Sequence, residues 1–394
     1  MTAVLETRRL LDGGAALPEH RARFGPLPTT TARRLLDEVD ASGLTGRGGA
    51  RFPLATKLRA VAAGRRPVVV ANGAEGEPAS RKDRTLMHRS PHLVLDGLAS
   101  AAHAVGAGQA LAYVHPAAAP VMRRAAAERS DRVPVKVVTA AEAFVSGQET
   151  AVVRSLGGGP ALPRSAPPRV FERGLRGRPT LVSNVETLAQ LALVARYGAD
   201  EFRRLGTAAE PGTMLCTVTG TDGRPVVVEA ALGTPVADVL RRGNCAPTVP
   251  ALLVGGFHGA WVTGDEARSL RLSAASLAPT GAAPGAGVLL ALAPGRCPLQ
   301  VSAGIVRYLA DSSARQCGPC LSGLPALART LADMAQLGWS TELVGRASQL
   351  TRSVAGRGAC AHPDGTVRLV RSVLQTFGPD LDAHADGRCL AGAA

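Results

Sequence analysis

Short apolar runs rich in β-branched residues alternate with helical patterns over the first half of the chain. The runs predict buried strands at residues 66–71, 110–114 and 133–138. Apolar positions at helical spacing predict helices at 92–105 and 117–128. Because strands that alternate with helices usually pair in parallel, this half predicts an α/β domain with a parallel sheet.

The pattern changes near residue 212 to short β segments, at 214–219, 225–230 and 251–254. Thr234 and Pro235 predict the N-cap and first position of a helix between the second and third of them. Over the last hundred residues, the pattern predicts helices. We therefore predict four regions: an N-terminal arm at 1–26, an α/β domain at 27–208, an α+β domain at 209–295 and a helical domain at 296–394.

Composition narrows the choice of partner. The net charge is +14, but no run of five or more basic residues occurs and aromatics make up only 3% of residues. A nucleic-acid partner is therefore disfavoured, whereas an acidic protein partner, a phosphate-bearing cofactor or an arginine-rich composition explains the charge. Neither a secretory signal nor a membrane-spanning run is predicted, so we expect a cytoplasmic protein, or one attached peripherally to a membrane complex.

The first candidate motif is a glycine-rich loop at residues 45–53. Gly46 and Gly48 would let backbone N–H groups approach an anion, and Arg47 and Lys57 would add positive charge. A flexible glycine-rich turn is the alternative interpretation, because such a loop alone is weakly specific.

The second motif directly follows the first predicted strand and holds Asn72, Glu75 and Glu77. Ligands of parallel sheets bind beyond the carboxyl ends of strands, where these side chains could accept hydrogen bonds from a flavin or a ribose. A solvated acidic turn, neutralised by the Lys82-Asp83-Arg84 stretch, is the alternative.

Two further polar motifs contain Gly147 with Glu149, and Asn184 with Thr187. The second of these is also typical of a helix N-cap with an acidic first turn. Four polar loop motifs are more than an α/β domain without a ligand site requires, but physical chemistry alone does not identify the ligand.

Cysteines supply the last motif. The chain has seven, an odd number, which favours reduced thiols or metal ligands over disulfides. Cys317 and Cys320 lie at Cys-x-x-Cys spacing and Cys360 follows forty residues later, a pattern suited to zinc or an iron–sulfur cluster. A redox dithiol and two unremarkable thiols remain alternatives.

Together the motifs resemble the flavin-bearing subunit of the complex I NADH dehydrogenase family and its relatives in hydrogenases and formate dehydrogenases. Residues 42–53 read SGLTGRGGARFP against SGLRGRGGAGFP, and residues 72–84 read NGAEGEPASRKDR against NADEGEPGTFKDR. GQETAV at 147–152 matches GEETAL, and SNVETL at 183–188 matches NNVETL. The resemblance extends over roughly residues 27–390.

This resemblance implies a fold, cofactors and partners. Residues 27–208 correspond to the family's FMN-binding domain, residues 212–290 are similar to its β-grasp (SLBB) domain, and the C-terminal region is similar to its helical 4Fe–4S domain. The implied activity is that of an oxidoreductase passing electrons between NADH, FMN and the cluster, with a redox protein subunit as partner. The resemblance places FMN or NADH at these residues: Gly46, Arg47, Gly48, Phe52, Lys57, Asn72, Glu75, Glu77, Gly147, Glu149, Asn184 and Thr187. Glu77 and Phe52 occupy the positions that help to hold NADH, and Glu75 is the candidate for tuning the flavin or contacting the nicotinamide.

The chain departs from the family pattern at residues that bind NADH and at one ligand of the cluster. Aromatic positions are replaced by Ala60 and Arg169, the latter also suited to the 2′-phosphate of NADPH, and a family lysine aligns with Ala166. Ala314 replaces the first cluster cysteine, which leaves Cys317, Cys320 and Cys360 as ligands. The fourth position would then fall to Cys297, Cys389, His362, a carboxylate or an exogenous ligand, or stay vacant.

Two alternative functions remain at this stage. One is the same fold without NADH use, exchanging electrons with an acidic ferredoxin-like partner. The other is a non-enzymatic paralogue that acts as a scaffold. Flavin content separates the scaffold from the two enzymes, and reduction by NADH separates the enzymes from each other.

Overall fold

The computed structural model describes residues 10–165 and 167–392. The chain forms two compact units: one contains the residues up to Cys216 together with Glu229–Thr234, the other Thr217–Val228 and the residues from Pro235 onward. Residues 1–9 of the predicted arm and Ala166 lie outside the described residues.

The first unit is built on a four-stranded sheet of order β3-β2-β1-β4. Its strands are β1 (Val68–Gly73), β2 (Gln109–Val114), β3 (Val135–Thr139) and β4 (Thr180–Asn184). Strand β1 pairs in parallel with both β2 and β4, and β2 pairs in parallel with β3. The predicted parallel α/β sheet is therefore confirmed.

Helices surround this sheet, some packed directly on its strands and others on neighbouring helices. They are α1 (Leu17–Phe24), α2 (Ala32–Ser42), α3 (Leu54–Ala62), α4 (Lys82–Arg89), α5 (Pro91–Val105), α6 (Ala119–Ala127), α7 (Glu149–Leu156) and α8 (Val185–Arg203). Helices α5 and α8 approach each other at Gly97, where an added Cβ would lie only 1.8 Å from the Leu188 carbonyl oxygen. Only glycine permits this contact between the two most buried helices of the unit.

A five-stranded sheet of order β6-β5-β9-β7-β8 follows. Its strands are β5 (Thr213–Thr219), β6 (Pro225–Ala231), β7 (Ala251–Val254), β8 (Ala260–Thr263) and β9 (Val288–Ala291). Strands β5 and β9 pair in parallel, whereas β7 is antiparallel to both β8 and β9. The predicted second sheet domain is confirmed in this coarse form.

Three short helices accompany that sheet: α9 (Val236–Arg242), α10 (Gly264–Ser269) and α11 (Ala274–Leu277). The predicted cap of α9 is wrong by one residue. Pro235 occupies the N-cap, and the Thr234 hydroxyl donates to the Ala231 carbonyl instead of accepting from the helix.

The C-terminal part is helical, as predicted. Its helices are α12 (Pro298–Asp311), α13 (Leu324–Met334), α14 (Glu342–Val354), α15 (His362–Thr376) and α16 (Gly378–Ala385). A π-helical turn, Pro319–Gly323, precedes α13 and carries Cys320. Within the described residues, no helix has the length and apolar character needed to cross a membrane.

Candidate functional site

The glycine-rich loop is closed by backbone hydrogen bonds at its base. The N–H of Gly46 donates to the Phe52 carbonyl at 2.9 Å, and that of Leu54 donates to the Leu44 carbonyl at 2.9 Å. Gly49 has a φ of 106°, a conformation that L side chains rarely adopt. The Phe52 ring at the end of the loop is 48% exposed. The loop is therefore fixed in shape and carries an accessible aromatic surface.

This loop packs on the start of α8. A Cβ at Gly48 would lie 3.2 Å from the Asn184 Cβ, and the Arg47 N–H donates to the Thr187 hydroxyl at 2.8 Å. Asn184 caps α8, since its side-chain oxygen accepts from the Glu186 N–H at 3.0 Å. The first and fourth motifs thus meet where a helix N-terminus follows the carboxyl end of β4, a setting that favours anions.

The second and third motifs join at the same edge. The Asn72 side-chain amide, at the end of β1, donates to the Gly147 carbonyl at 2.8 Å. The Lys57 ammonium donates at 2.7 Å to both the Glu149 carboxylate and the Val182 carbonyl. All four motifs are therefore gathered beyond the carboxyl ends of β1 and β4.

The side chain of Arg47 is turned into the protein. The residue is 3% exposed, and its guanidinium donates to the carbonyls of Thr213 at 2.9 Å, of Pro211 at 3.1 Å and of Thr45 at 3.1 Å. Burial lowers its pKa to about 10, which still leaves it charged at neutral pH. In this conformation the guanidinium braces the loop, whereas the predicted contact with a phosphate stays a prediction.

The Glu75 carboxylate is likewise held by protein donors. It accepts from the N–H groups of Asp83 at 2.8 Å and Arg84 at 3.0 Å, from the Arg84 guanidinium at 2.9 Å and from the Ser80 hydroxyl at 2.7 Å. Its side chain is 2% exposed. These contacts anchor the start of α4, so the predicted tuning of a flavin by Glu75 stays a prediction that its contacts do not favour. Half-buried Glu77 accepts from the Ala79 N–H at 3.2 Å.

A buried network of charged side chains lies next to the candidate site. This network was not predicted from the sequence. The Lys82 ammonium contacts the carboxylates of Asp83 at 2.6 Å and Glu186 at 2.9 Å, and the Asn184 amide donates to Asp83 at 2.7 Å. Burial would lower the pKa of Lys82, but the two carboxylates raise it above its usual value. Burial raises the pKa of Asp83 to about 6, against the opposing effect of Lys82. The match of residues 82–84 (KDR) to the family segment was the sequence signal that could have pointed to this network.

Gln148, which stands where the family motif GEETAL has its first glutamate, caps a helix. Its amide oxygen accepts from the N–H groups of Thr150 at 2.8 Å and Ala151 at 3.1 Å, and so caps α7. A neutral amide therefore replaces the family's carboxylate at this cap without leaving the helix start unsatisfied.

The cysteine motif forms a group in the second unit. The sulfurs of Cys317 and Cys320 are 3.7 Å apart, and burial together with Cys317 and then Cys360 raises the pKa of Cys320 to about 11. Cys360 is near enough to both thiols to affect their electrostatics, although the three sulfurs do not lie within 4.8 Å of one another. Thiols are the donors that iron–sulfur clusters use. His362 is engaged elsewhere, because its ring nitrogens contact the Leu309 carbonyl at 2.8 Å and His258 at 3.1 Å.

Two of the cysteines considered for the open cluster position lie together elsewhere in the second unit. Within the described part of the chain, Cys297 and Cys389 form a group with His384, in which the three ligand atoms lie within 4.8 Å of one another.

Comparison with known proteins identifies the family of this chain. Residues 39–193 match the family described as Nuo51 FMN-binding domain, and residues 300–384 match the NADH-ubiquinone oxidoreductase-F iron-sulfur binding region. The F subunit of the NADH-quinone oxidoreductase of Mycobacterium tuberculosis is 30% identical over 89% of this chain and 84% of its own length. The F 2 subunit of the same enzyme in Rhizobium meliloti is 29% identical over 94% of this chain and 93% of its own length.

Solved structures give the same result. A chain of the NAD+-reducing NiFe hydrogenase in its H2-reduced state superposes with a TM-score of 0.82 and 29% sequence identity, over 90% of this chain. This chain spans 63% of the hydrogenase chain.

Proposed function

This chain belongs to the family of the NADH-quinone oxidoreductase F subunits, and we propose that it transfers electrons from NADH by way of FMN to an iron–sulfur cluster. The observation that carries the proposal is the convergence of all four motifs beyond the carboxyl ends of β1 and β4. The family membership favours this function over a scaffold and over exchange with a ferredoxin-like protein alone. Bound FMN would supply the exchange between hydride and single-electron chemistry.

We assign the phosphate to the glycine loop and the N-terminus of α8. There the backbone N–H groups of the loop and the helix dipole would stabilise negative charge. Lys57 would add a charge-assisted contact while it stays paired with Glu149. Asn72 and Gly147, which bond to each other, would border the flavin ring.

NADH would bind on the exposed side of the same edge. Phe52 offers an accessible ring for stacking, and half-buried Glu77 belongs to the second motif. Ala60 and exposed Arg169 lack the aromatic surface of the family positions. We therefore expect NADH to bind more weakly than in relatives. The residues that we assign to FMN match the family motifs more closely.

Electrons would leave through the cluster held by Cys317, Cys320 and Cys360. We propose that the acceptor is a redox subunit with an acidic surface, since the chain carries a net charge of +14. Association with such a subunit would also attach the chain peripherally to a larger complex.

We further assign the five-stranded sheet to the β-grasp (SLBB-like) type. Counted from β5, its strand order is 2-1-5-3-4, with the first and last strands parallel and α9 between the second and third. The division at residues 27–208, 209–295 and 296–394 remains part of this proposal, which limited proteolysis with mass mapping of the fragments would test.

The central experiment measures flavin and its reduction. Protein purified without oxygen should contain FMN, bleach on addition of NADH and contain iron and sulfide with an EPR signal after reduction. Lys57→Ala should weaken FMN binding by about 10- to 150-fold, because it removes a charge-assisted bond worth about 1.5–3 kcal/mol. Lys136→Ala, at an exposed position of β3, is the matched control and should bind normally.

The proposal fails at distinguishable points. Absence of flavin from wild-type protein after reconstitution would remove the FMN site. Flavin that binds but is not reduced by NADH would agree with the proposed FMN site and exclude NADH as the electron donor. Zinc alone at Cys317 and Cys320, without iron, would remove the electron outlet.

A further inference from the structure

A second, separate group of metal-binding side chains lies in the C-terminal helices. We propose that Cys297, His384 and Cys389 bind one Zn²⁺ ion, distinct from any cluster at Cys317, Cys320 and Cys360. Cys297 directly precedes α12, His384 lies near the end of α16, and Cys389 follows that helix.

The distances fit a single ion. Zinc bonds of about 2.3 Å to sulfur and about 2.0 Å to nitrogen, at a tetrahedral angle, place the two ligand atoms about 3.5 Å apart. The Cys297 sulfur and the His384 Nε2 are 3.4 Å apart, and the Cys389 sulfur lies within 4.8 Å of both. The three side chains therefore need little movement to share one ion.

The tautomer of His384 is suited to the same role. Its Nδ1 lies 3.1 Å from the Gln336 carbonyl oxygen, which can only accept, so Nδ1 carries the proton. Nε2 is then left with its lone pair directed at Cys297. Metal-binding histidines usually donate their second nitrogen to a carbonyl or carboxylate in this way. His384 is 1% exposed, so this orientation is fixed by the fold.

The backbone holds the two sulfurs in place. The N–H groups of Leu299 and Gln300, at the start of α12, face the Cys297 sulfur and fix its position. After α16, Gly387 takes a φ of 79°, and the Arg388 N–H returns to the Ala383 carbonyl at 2.8 Å. This reversal leads directly to Cys389.

Two thiolates and one imidazole favour zinc among the common divalent ions, because zinc accepts sulfur and nitrogen in a tetrahedral site. The ion would join α12 to a histidine 87 residues later and to the C-terminal segment. The described residues offer three protein ligands, so a water molecule would complete the tetrahedron. Its expected role is structural, as a fastener of the last helix and the segment that follows it.

The test counts zinc and iron separately in the full chain, purified without oxygen and incubated with zinc sulfate. Wild-type protein should retain one zinc per chain and melt at a higher temperature with zinc than without it. Cys389→Ser, at a partly exposed position, should lose that zinc and the thermal shift while keeping its iron and flavin. Cys317→Ser, also partly exposed, should lose iron and keep the zinc. Cys245→Ser should keep both.

His384→Gln provides a second variant in case Cys389→Ser folds poorly, and retained flavin reports on folding of the rest of the chain. Replacing zinc by Co²⁺ should give the visible thiolate bands of a tetrahedral site in wild type and in Cys317→Ser. The proposal is overturned if wild type retains no zinc, if Cys389→Ser retains as much as wild type, or if Cys317→Ser loses it. A disulfide between Cys297 and Cys389, found by peptide mapping of freshly purified protein, would also overturn it.

Discussion

Replacing Lys82 with Met should destabilise the first unit strongly. The ammonium is the cation of a network that also contains the carboxylates of Asp83 and Glu186, whose side chains are 7% and 0% exposed. Methionine keeps the length and apolar stem of lysine but leaves two buried negative charges facing each other. Breaking a buried ion pair by removing one partner costs about 3–5 kcal/mol, so we expect a loss of free energy of unfolding in that range.

Part of the lost free energy should return on acidification. Without Lys82, the nearby carboxylates bind protons more tightly in the folded state, because protonation removes a buried unpaired charge. The difference in stability between wild type and the variant should therefore shrink as the pH falls. Adding Asp83→Asn and Glu186→Gln to Lys82→Met should likewise recover stability, since the charges are removed together.

The assay must report on the first unit. Both tryptophans, Trp261 and Trp339, lie in the second unit, so intrinsic tryptophan fluorescence would miss the transition. Urea unfolding followed by far-UV circular dichroism and by release of flavin is suitable. Lys136→Met, at an exposed position, is the matched control and should lie within about 0.5 kcal/mol of wild type. A Lys82→Met variant as stable as this control at every pH would refute the assigned network.

Three other substitutions probe the same site. Gly48→Val should lower flavin affinity about tenfold, because even a Cβ there lies 3.2 Å from the Asn184 Cβ and overpacking costs about 1–3 kcal/mol; Gly108→Val, in open space, is the control in a flavin titration. The folded-state pKa of Asp83 is raised from 3.8 to about 6, so the folded state binds that proton more tightly than the unfolded state does. Wild type should therefore lose stability relative to Asp83→Asn as the pH rises from about 4 to about 6, measured by urea titration at each pH. A stability difference that stays constant over this range would contradict the prediction. Ala60→Phe should lower the Kd for NADH about two- to tenfold by adding a stacking surface, measured by stopped-flow flavin reduction; an unchanged Kd would place NADH elsewhere.

The location of the Asn72 motif was predictable from the sequence pattern because it follows a rule of topology. Asn72 and Asn184 each end a short apolar run, and β1 and β4 prove to be neighbouring parallel strands. Polar residues at the carboxyl ends of such strands must lie at one edge. The sequence pattern alone did not predict β4, so the closeness of the two motifs could be inferred only from the family resemblance.

The roles of individual charges were less predictable, since they depend on residues distant in sequence. The Arg47 guanidinium is held by carbonyls at Pro211 and Thr213, which come more than 160 positions later along the chain. Glu75 is satisfied by the first turn of α4, a short and largely polar helix without a clear apolar period. Charge type indicates where an anion could bind, but burial decides which charges remain available.

The same limit explains the missed elements of the second sheet. Strand β9 spans only Val288–Ala291 in a glycine- and proline-rich stretch, and it is defined by pairing with β5 and β7. A four-residue apolar run carries too little local information to separate a strand from a buried loop. The second metal group was equally hidden, because Cys297 and His384 come together only through the packing of the helices that carry them.

Charge balance at the start of α8 connects the buried network to the proposed flavin site. Glu186 lies in the first turn of α8, where its carboxylate would compete with a bound phosphate for the positive end of the helix. Lys82 neutralises that carboxylate from within the protein, at 2.9 Å and out of contact with solvent. The helix N-terminus and the loop N–H groups other than those of Gly46 and Arg47 would then serve the ligand. The Arg47 guanidinium is engaged with protein carbonyls, whereas Lys57 would contact the phosphate while it stays paired with Glu149. Fixed backbone dipoles and the Lys57 ammonium would therefore share the attraction for the phosphate, and salt should weaken flavin binding moderately.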